Sequence, residues 1–441
     1  MPNYALPGCR LIDCVHSGVQ ENSTVLVKDG KIEKTGGTDD IEIPKDYTVL
    51  DTRDKYVMPG LINAHVHLFG SGKPMKAGAG GKTQDRTVKL LNTWPGRKLI
   101  ESMVRRHALT ALNSGLTTVR AVGDMFYSDV KTRDLIDGGK IPGPRLLVSG
   151  PLICVTGGHG HALGYIADSP WEARKLVRRN ISRQVDLIKI CVTGGVMDAR
   201  RIGDAGRPQM TIEEITAVCE EAHKAGFMVA AHAQSAAGVR LALLGGVDTI
   251  EHGSEFDEET IGLFLNNPKS LKGYSCLIPT IIPAIAIGEL DTELTKTKPV
   301  NRENSRRVYE GMVKGMRQAM AAGVKVGVGT DVSCPYATHY NTWRELYYAV
   351  KFAKVSPETA IRNATRVNAE ILGISDIAGT LEAGKSADLI VLKENPLDHL
   401  RALSEVCMVM AGALFIPNPK VKTIPEVDRI LDSLDEVKTG V

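Results

Sequence analysis

The chain has no run of ~18 consecutive apolar residues, so no segment reads as a membrane span. Its start, MPNYALPGCRLIDCV, lacks the charged beginning and unbroken apolar stretch of a secretory signal, and the expected location is the cytoplasm. The cysteines at 9, 14, 154, 191, 219, 276, 334 and 407 never pair as CxxC, and several sit inside apolar runs such as LIKICV. Buried free thiols are expected rather than disulfides or a zinc ribbon. A charge excess is missing too: Lys+Arg 54 against Asp+Glu 51 leaves +3, so neither nucleic acid nor a membrane surface is the expected partner. Small molecules or other protein chains remain. Low-complexity segments and short internal repeats are absent, and GAGGK at 78–82 lacks the full GxxxxGK[ST] spacing of a phosphate loop. That stretch reads as a flap near the first barrel strand.

What is present is an ordinary globular composition of 43% hydrophobic and 24% charged residues over 441 positions. Residues 1–57 contain alternating runs such as STVLVKDGKIEKTGG, where a Lys-Asp-Gly turn joins two half-buried strands. Similar grammar returns over 378–441, in GTLEAGKSADLIVL and VCMVMAGAL, so the two ends are expected to complete one small β-domain, a β-sandwich. Between them, over 58–377, apolar strands alternate with helical stretches at 98–114, 170–182, 211–226, 235–245, 302–323 and 340–354. Ser169-Pro170 and Thr211 with Glu214 are helix-start signals. Eight strand–helix units over roughly 300 residues predict an α/β fold, a (β/α)8 TIM barrel.

In such a barrel, polar residues that end different strands meet at one mouth. His65 and His67, two apart in LINAHVHLFG, share one side of a strand and form either a metal-chelating pair or a hydrogen-bonded core pair. His232 ends MVAAHA and His252 ends DTIEHG; each alone could equally be a satisfied core histidine. Asp331 ends KVGVGTD, where a buried carboxylate demands a cation or several donors. Lys189, inside VDLIKICV, would be desolvated and favour its neutral form. A neutral amine can take up carbon dioxide as a carbamate, while a salt bridge to a buried acid is the simpler alternative. The loop TGGVMDARRIGDAGRPQM carries Arg200, Arg201 and Arg207, any of which could pair with a substrate carboxylate or stay solvated.

The order of this set resembles the amidohydrolase superfamily, and the words PGLINAHVH, AAHA, IEHG, GTD and AGTLEAGKSADLIVL carry the likeness from about residue 24 to about residue 400. Within it, the lysine of DLIKI followed by TGGV, together with TGGHGH at 156–161, is most similar to the metal-dependent carboxypeptidase and Xaa-Pro dipeptidase branch, prolidase-like and ochratoxinase-like. That resemblance implies two zinc ions per chain. One would be held by His65, His67, Asp331 and carboxylated Lys189, the other by the same carbamate with His232 and His252. It further implies a metal-bridging hydroxide as nucleophile, Asp331 as the proton carrier, and His159, with His161 as the second candidate, as donor to the developing oxyanion. The expected activity is hydrolysis of amide bonds in dipeptides, N-acyl amino acids or ochratoxin-type amides, by a chain that assembles as a homo-oligomer. MDARRI departs from the Ser-Pro-containing sequence common in this branch, which leaves substrate preference open. Two other readings stand beside it. One is a cyclic-amide hydrolase or deaminase of the imidazolonepropionase type, which resembles a single-metal enzyme without the lysine. The other is a catalytically silent metal-binding scaffold.

Overall fold

The structure, a computed structural model, describes residues 2–74 and 82–434, with the side chains of 82–86 left aside. The predicted flap at 78–82 therefore lies outside the described residues except for Lys82, the first residue of a helix. Both ends of the chain join one eight-stranded sheet. Its seam is Tyr56–Pro59, which runs parallel to Tyr4–Leu11 and antiparallel to Leu389–Leu392, with Val57 opposite Val391. The Lys-Asp-Gly hairpin forms as expected: Lys28 pairs with Lys31, and Asp29 and Gly30 take φ of 50° and 75°. Two successive positive φ values match the right-handed twist of the flanking strands.

The middle of the chain supplies parallel strands buried on both faces: β1 (Leu61–Val66), β2 (Leu116–Ala121), β3 (Arg145–Val148), β4 (Leu187–Cys191), β5 (Met228–Ala233), β6 (Thr249–His252) and β7 (Cys276–Ile278). β1, β2 and β3 pair in that order; β4 to β7 pair in theirs, with Ile153–Cys154 alongside β4. Helices follow the strands in alternation, among them Pro170–Ser182 and Ile212–Lys224. Both begin where the sequence predicts. The Ser169 hydroxyl accepts from the Glu172 amide, and Thr211 and Glu214 form a reciprocal capping box.

The expected eighth strand, KVGVGTD, departs from a regular ladder. On one side Leu277 N donates to Lys325 O at 3.0 Å and Gly327 N to Leu277 O at 2.8 Å; on the other Ala64 N donates to Val328 O at 2.9 Å and His67 N to Val332 O at 3.0 Å. Between these, Asn368 substitutes for the ladder: its Nδ2 donates to Ile62 O at 2.6 Å and Val328 O at 2.9 Å, while its Oδ1 accepts from Val328 N at 3.0 Å. Glycine is required here, because a Cβ on Gly327 would lie 2.2 Å from Asn368 Oδ1 and one on Gly329 2.5 Å from His65 Cβ. The segment thus touches both β7 and β1, and delivers Asp331 beside the His65 strand.

Among the described residues no helix is long and apolar enough to cross a membrane. All eight cysteines are free, six of them buried, in keeping with the apolar runs that carry them.

The helix Pro299–Ala321 packs so closely behind β6 that a Cβ on Gly315 would stand 1.8 Å from Ser254 O, whereas a Cβ on exposed Gly262 would meet nothing within 4 Å. Gly315→Ala should therefore lower the melting temperature, and Gly262→Ala, within the helix Glu258–Leu265, should raise unfolding free energy by about 0.5–1 kcal/mol. Chemical denaturation of both variants checks the pair; equal effects would contradict the packing.

Candidate metal centre

His65 in β1 and His67 just past its end point the same way, as a two-residue spacing in extended chain requires. Hydrogen bonds on their far sides fix which nitrogen is free. His67 Nδ1 lies 2.7 Å from the Gly123 carbonyl oxygen, which can only accept, and His65 Nδ1 lies 2.7 Å from the Glu251 carboxylate. Both rings therefore carry a proton on Nδ1, which makes Nε2 the nitrogen left for a ligand in the neutral tautomer. These two Nε2 atoms lie 3.3 and 3.2 Å from Asp331 Oδ1, so three lone-pair donors face one point. The other Asp331 oxygen accepts from the Cys334 thiol at 3.2 Å.

A second pair stands beside the first. The β6 ring of His252 lies 5.0 Å from the ring of His65 and 4.5 Å from that of His232 on β5, centroid to centroid. His232 Nδ1 and His252 Nε2 face each other at 2.8 Å, while His252 Nδ1 meets the Thr280 hydroxyl at 2.7 Å. Burial, together with neighbouring positive groups, holds the His232 imidazole well below its ordinary pKa, and burial does the same to His252. Two neutral rings so placed share one N–H···N hydrogen bond, or turn both nitrogens to a cation when one is bound. Lys189 on β4 is 2% exposed and its Nζ has no hydrogen-bond partner. Burial lowers its pKa in spite of the nearby Glu251 and Asp331 carboxylates. A buried ammonium left unpaired would cost several kcal/mol; a lysine converted to an anionic, two-oxygen ligand between cations would not. The donor set therefore fits divalent metal.

His159 also joins the cluster. Its ring lies 4.2 Å from that of His232, centroid to centroid and tilted by 31°, its amide donates to Gln209 Oε1 at 2.9 Å, and its Nδ1 is hydrogen-bonded to Asp198. The remaining candidates stand apart. His161 is exposed and turns its Nδ1 to Gly158 O at 3.0 Å in its own loop. Arg200, Arg201 and Arg207 are exposed, on a loop tied down by Asn301 and Asn304 of the helix Pro299–Ala321: Asn301 Nδ2 donates to Val196 O and Asn304 Nδ2 to Arg201 O.

Four residues escaped the sequence reasoning. Glu251 and Arg120 form a fully buried ion pair at 2.7 Å behind His65. Each is a charge inside an apolar strand, the same signal that singled out Lys189. Asp198 gave no signal beyond lying in a polar loop. Glu345, in the helix Thr342–Tyr348, is buried and accepts from Ile281 N at 2.5 Å and Ile282 N at 3.0 Å, which fixes the turn carrying Thr280.

A parallel α/β scaffold that gathers histidines, a lysine and an aspartate from its strand ends is the architecture of a metal-assisted hydrolase. The sequence profile of the amidohydrolase family matches residues 56–414, and the chain belongs to that family. It is a hydrolase of carbon–nitrogen bonds. Ochratoxinase of Aspergillus niger is 28% identical over 432 residues, covering 91% of this chain and 84% of its own. A solved structure from Bifidobacterium longum, provisionally described as a prolidase, superposes with a TM-score of 0.86 at 42% identity and covers 98% of both chains. A Xaa-Pro dipeptidase with methionine bound in its active site superposes at 0.82 with 29% identity, over 94% of this chain and 100% of that one.

Burial raises the Glu345 carboxyl from 4.5 to about 8, against the pull of the two backbone amides and with a further push from Asp331. Between those two values the folded protein keeps a proton that the unfolded chain has lost, so this group makes stability fall as pH rises, and the effect levels off above about 8. Glu345→Gln should flatten the fall, narrowing the stability gap to wild type between pH 5 and 8 by on the order of a few kcal/mol. Denaturant titrations of metal-free protein at both pH values test this, and parallel profiles would show the carboxyl to be ionised throughout.

Proposed function

We infer that this protein is a binuclear zinc hydrolase cleaving the amide bond of dipeptides or N-acyl amino acids, Xaa-Pro dipeptidase-like or carboxypeptidase-like, with ochratoxin-type amides in the same chemical class. The observation that carries the reading is the convergence of His65 Nε2, His67 Nε2 and Asp331 Oδ1 beside the unpartnered Lys189 amine. The relatives described as ochratoxinase and Xaa-Pro dipeptidase support the substrate class. In this reading residues 58–377 form a closed (β/α)8 barrel, with 1–57 and 378–441 making a small β-sandwich domain, and the chain is a cytoplasmic homo-oligomer.

One zinc ion would be held by His65, His67, Asp331 and carboxylated Lys189, and the other by the same carbamate with His232 and His252. When bound, the metals supply an acidified water as nucleophile and polarise the scissile carbonyl. Asp331 would accept the proton of the attacking water and return it to the departing nitrogen, serving first as base and then as acid. The Cys334 thiol holds Asp331 Oδ2, so Oδ1 stays on the histidine side. His159, oriented by Asp198, donates to the carbonyl oxygen as it gains charge, with His161 in the same loop as the second candidate. Arg200, Arg201 and Arg207 are the cations on hand for the substrate's terminal carboxylate. Their exposure leaves each guanidinium free to form a bidentate pair.

A panel of Xaa-Pro dipeptides and N-acyl amino acids beside cyclic ureides tests the assignment: linear amides should turn over, and activity confined to the ring compounds would favour the cyclic-amide or deaminase reading. Tightly bound zinc with no turnover of any amide would instead mark a scaffold. Lys189→Ala should lose most of the bound metal and regain part of it with short carboxylic acids. Two metals retained per chain would contradict the carbamate. Asp331→Asn should reduce kcat by about 10²–10⁴-fold with little change in KM, a split that steady-state kinetics reads directly.

A further inference from the structure

Glu251 has no role in the chemistry just described, yet its carboxylate is the most heavily engaged group behind the site. Oε1 accepts from Arg120 Nη2 at 2.7 Å and from the Thr249 hydroxyl at 2.6 Å; Oε2 receives His65 Nδ1 at 2.7 Å. Arg120 is in turn fixed, its Nε donating to Ala64 O at 2.5 Å and its Nη1 to Thr249 Oγ1 at 3.0 Å. Glu251 is 0% exposed and Arg120 1%. Successive residues of a strand point to opposite faces, so Glu251 and His252 should not both reach the same interior. They do because His252 leaves the extended region, with φ of 71°. A left-handed non-glycine residue costs about 1–3 kcal/mol and persists only where its surroundings over-determine it.

We propose that Glu251, clamped by Arg120 and Thr249, is a positioning residue for the metal centre: it fixes the His65 ring with its proton on Nδ1, so that Nε2 faces Asp331 and His67 as a bare ligand. The proposal rests on the metal-centre reading and deepens it, because β6 then serves both halves of the site, His252 as a ligand of one ion and Glu251 as the orienter of a ligand to the other. Arg120 acts by committing Oε1, which leaves only Oε2, an obligate acceptor, for His65.

An amide in place of the carboxylate exposes this logic. In Glu251→Gln, Arg120 still demands an acceptor, so the amide oxygen turns toward it and the NH2 group toward His65 Nδ1. That arrangement drives the His65 proton to Nε2 and blocks the ligand. Arg120→Met removes that demand and frees the Thr249 hydroxyl oxygen, which no longer receives Arg120 Nη1, to accept from the amide NH2, so the same glutamine can turn its oxygen back to His65. The test is zinc binding by metal-stripped full-length protein, read by competition with a chromophoric chelator, with circular dichroism as the check on folding. E251Q should bind zinc about 10–100-fold more weakly than wild type, and the double variant E251Q/R120M should bind more tightly than E251Q. A residue with a merely structural role predicts the opposite order, since the double variant loses more contacts. Wild-type affinity in E251Q, or a double variant weaker than E251Q, overturns the proposal. Should E251Q fail to fold, Glu251→Asp carries the test: it keeps the charge opposite Arg120 while withdrawing the acceptor from Nδ1, so weaker zinc binding supports the positioning role and wild-type binding overturns it. Failure of the wild-type protein itself to bind zinc would overturn the metal-centre reading together with this inference, whereas tight wild-type binding with an indifferent E251Q overturns this inference alone.

Discussion

Two imidazole Nε2 atoms and a carboxylate oxygen converge on a single point in the protein interior, and with each ring's proton on Nδ1 three lone pairs face it. Electrostatics makes that convergence unfavourable unless positive charge occupies the point. Much of the surrounding architecture serves to keep the donors from relaxing. Gly123 O and Glu251 hold the two Nδ1 protons, and Cys334 holds the second aspartate oxygen. Each contact removes one way in which the ring or carboxylate could turn aside. Rigid support of this kind sets affinity and geometry together, because a ligand already in place loses little freedom on binding.

The strands give up regularity to reach this arrangement. His252 and Asp331 both adopt positive φ, at 71° and 51°, where β-strand continuation would have carried their side chains elsewhere. The KVGVGTD segment trades ladder hydrogen bonds for the side chain of Asn368 and uses glycine where a Cβ would strike His65 or Asn368. At His252 and Asp331 strand regularity gives way to the placement of a polar side chain in the cluster.

Such departures limit what the sequence made legible. Helix starts with capping residues were readable to within about a residue, because Ser169-Pro170 and the Thr211–Glu214 pair act through local backbone chemistry. The His65–His67 spacing was readable because a period of two puts both on one face. The KVGVGTD segment was read as a regular strand, since no local pattern reveals that Asn368, some forty residues downstream by simple count, intervenes in its ladder. Arg120 and Glu251 show a different failure. Each bears a charge inside an apolar strand, but strand alternation places Glu251 on the face opposite His252, and only the left-handed backbone of His252 reverses that inference. The Asp198–His159 contact joins two loops whose approach depends on tertiary structure alone.

Substrate choice sits in a different layer of the molecule from the donors. The donors ride on buried strand ends, whereas the arginines proposed to meet a substrate carboxylate lie on the exposed loop after β4, anchored from behind by Asn301 and Asn304. Anchoring the loop backbone while leaving its guanidinium groups in solvent separates the two tasks. The backbone path is fixed, and side-chain identity can vary without disturbing the metal ligands. Proteins described as an ochratoxinase and a Xaa-Pro dipeptidase match this chain over nearly its whole length. Such breadth follows where the strand ends supply the chemistry and the loops supply the selection. In the proposed reading, the MDARRI loop sets the charge that meets the substrate and leaves the chemistry at the strand ends unchanged.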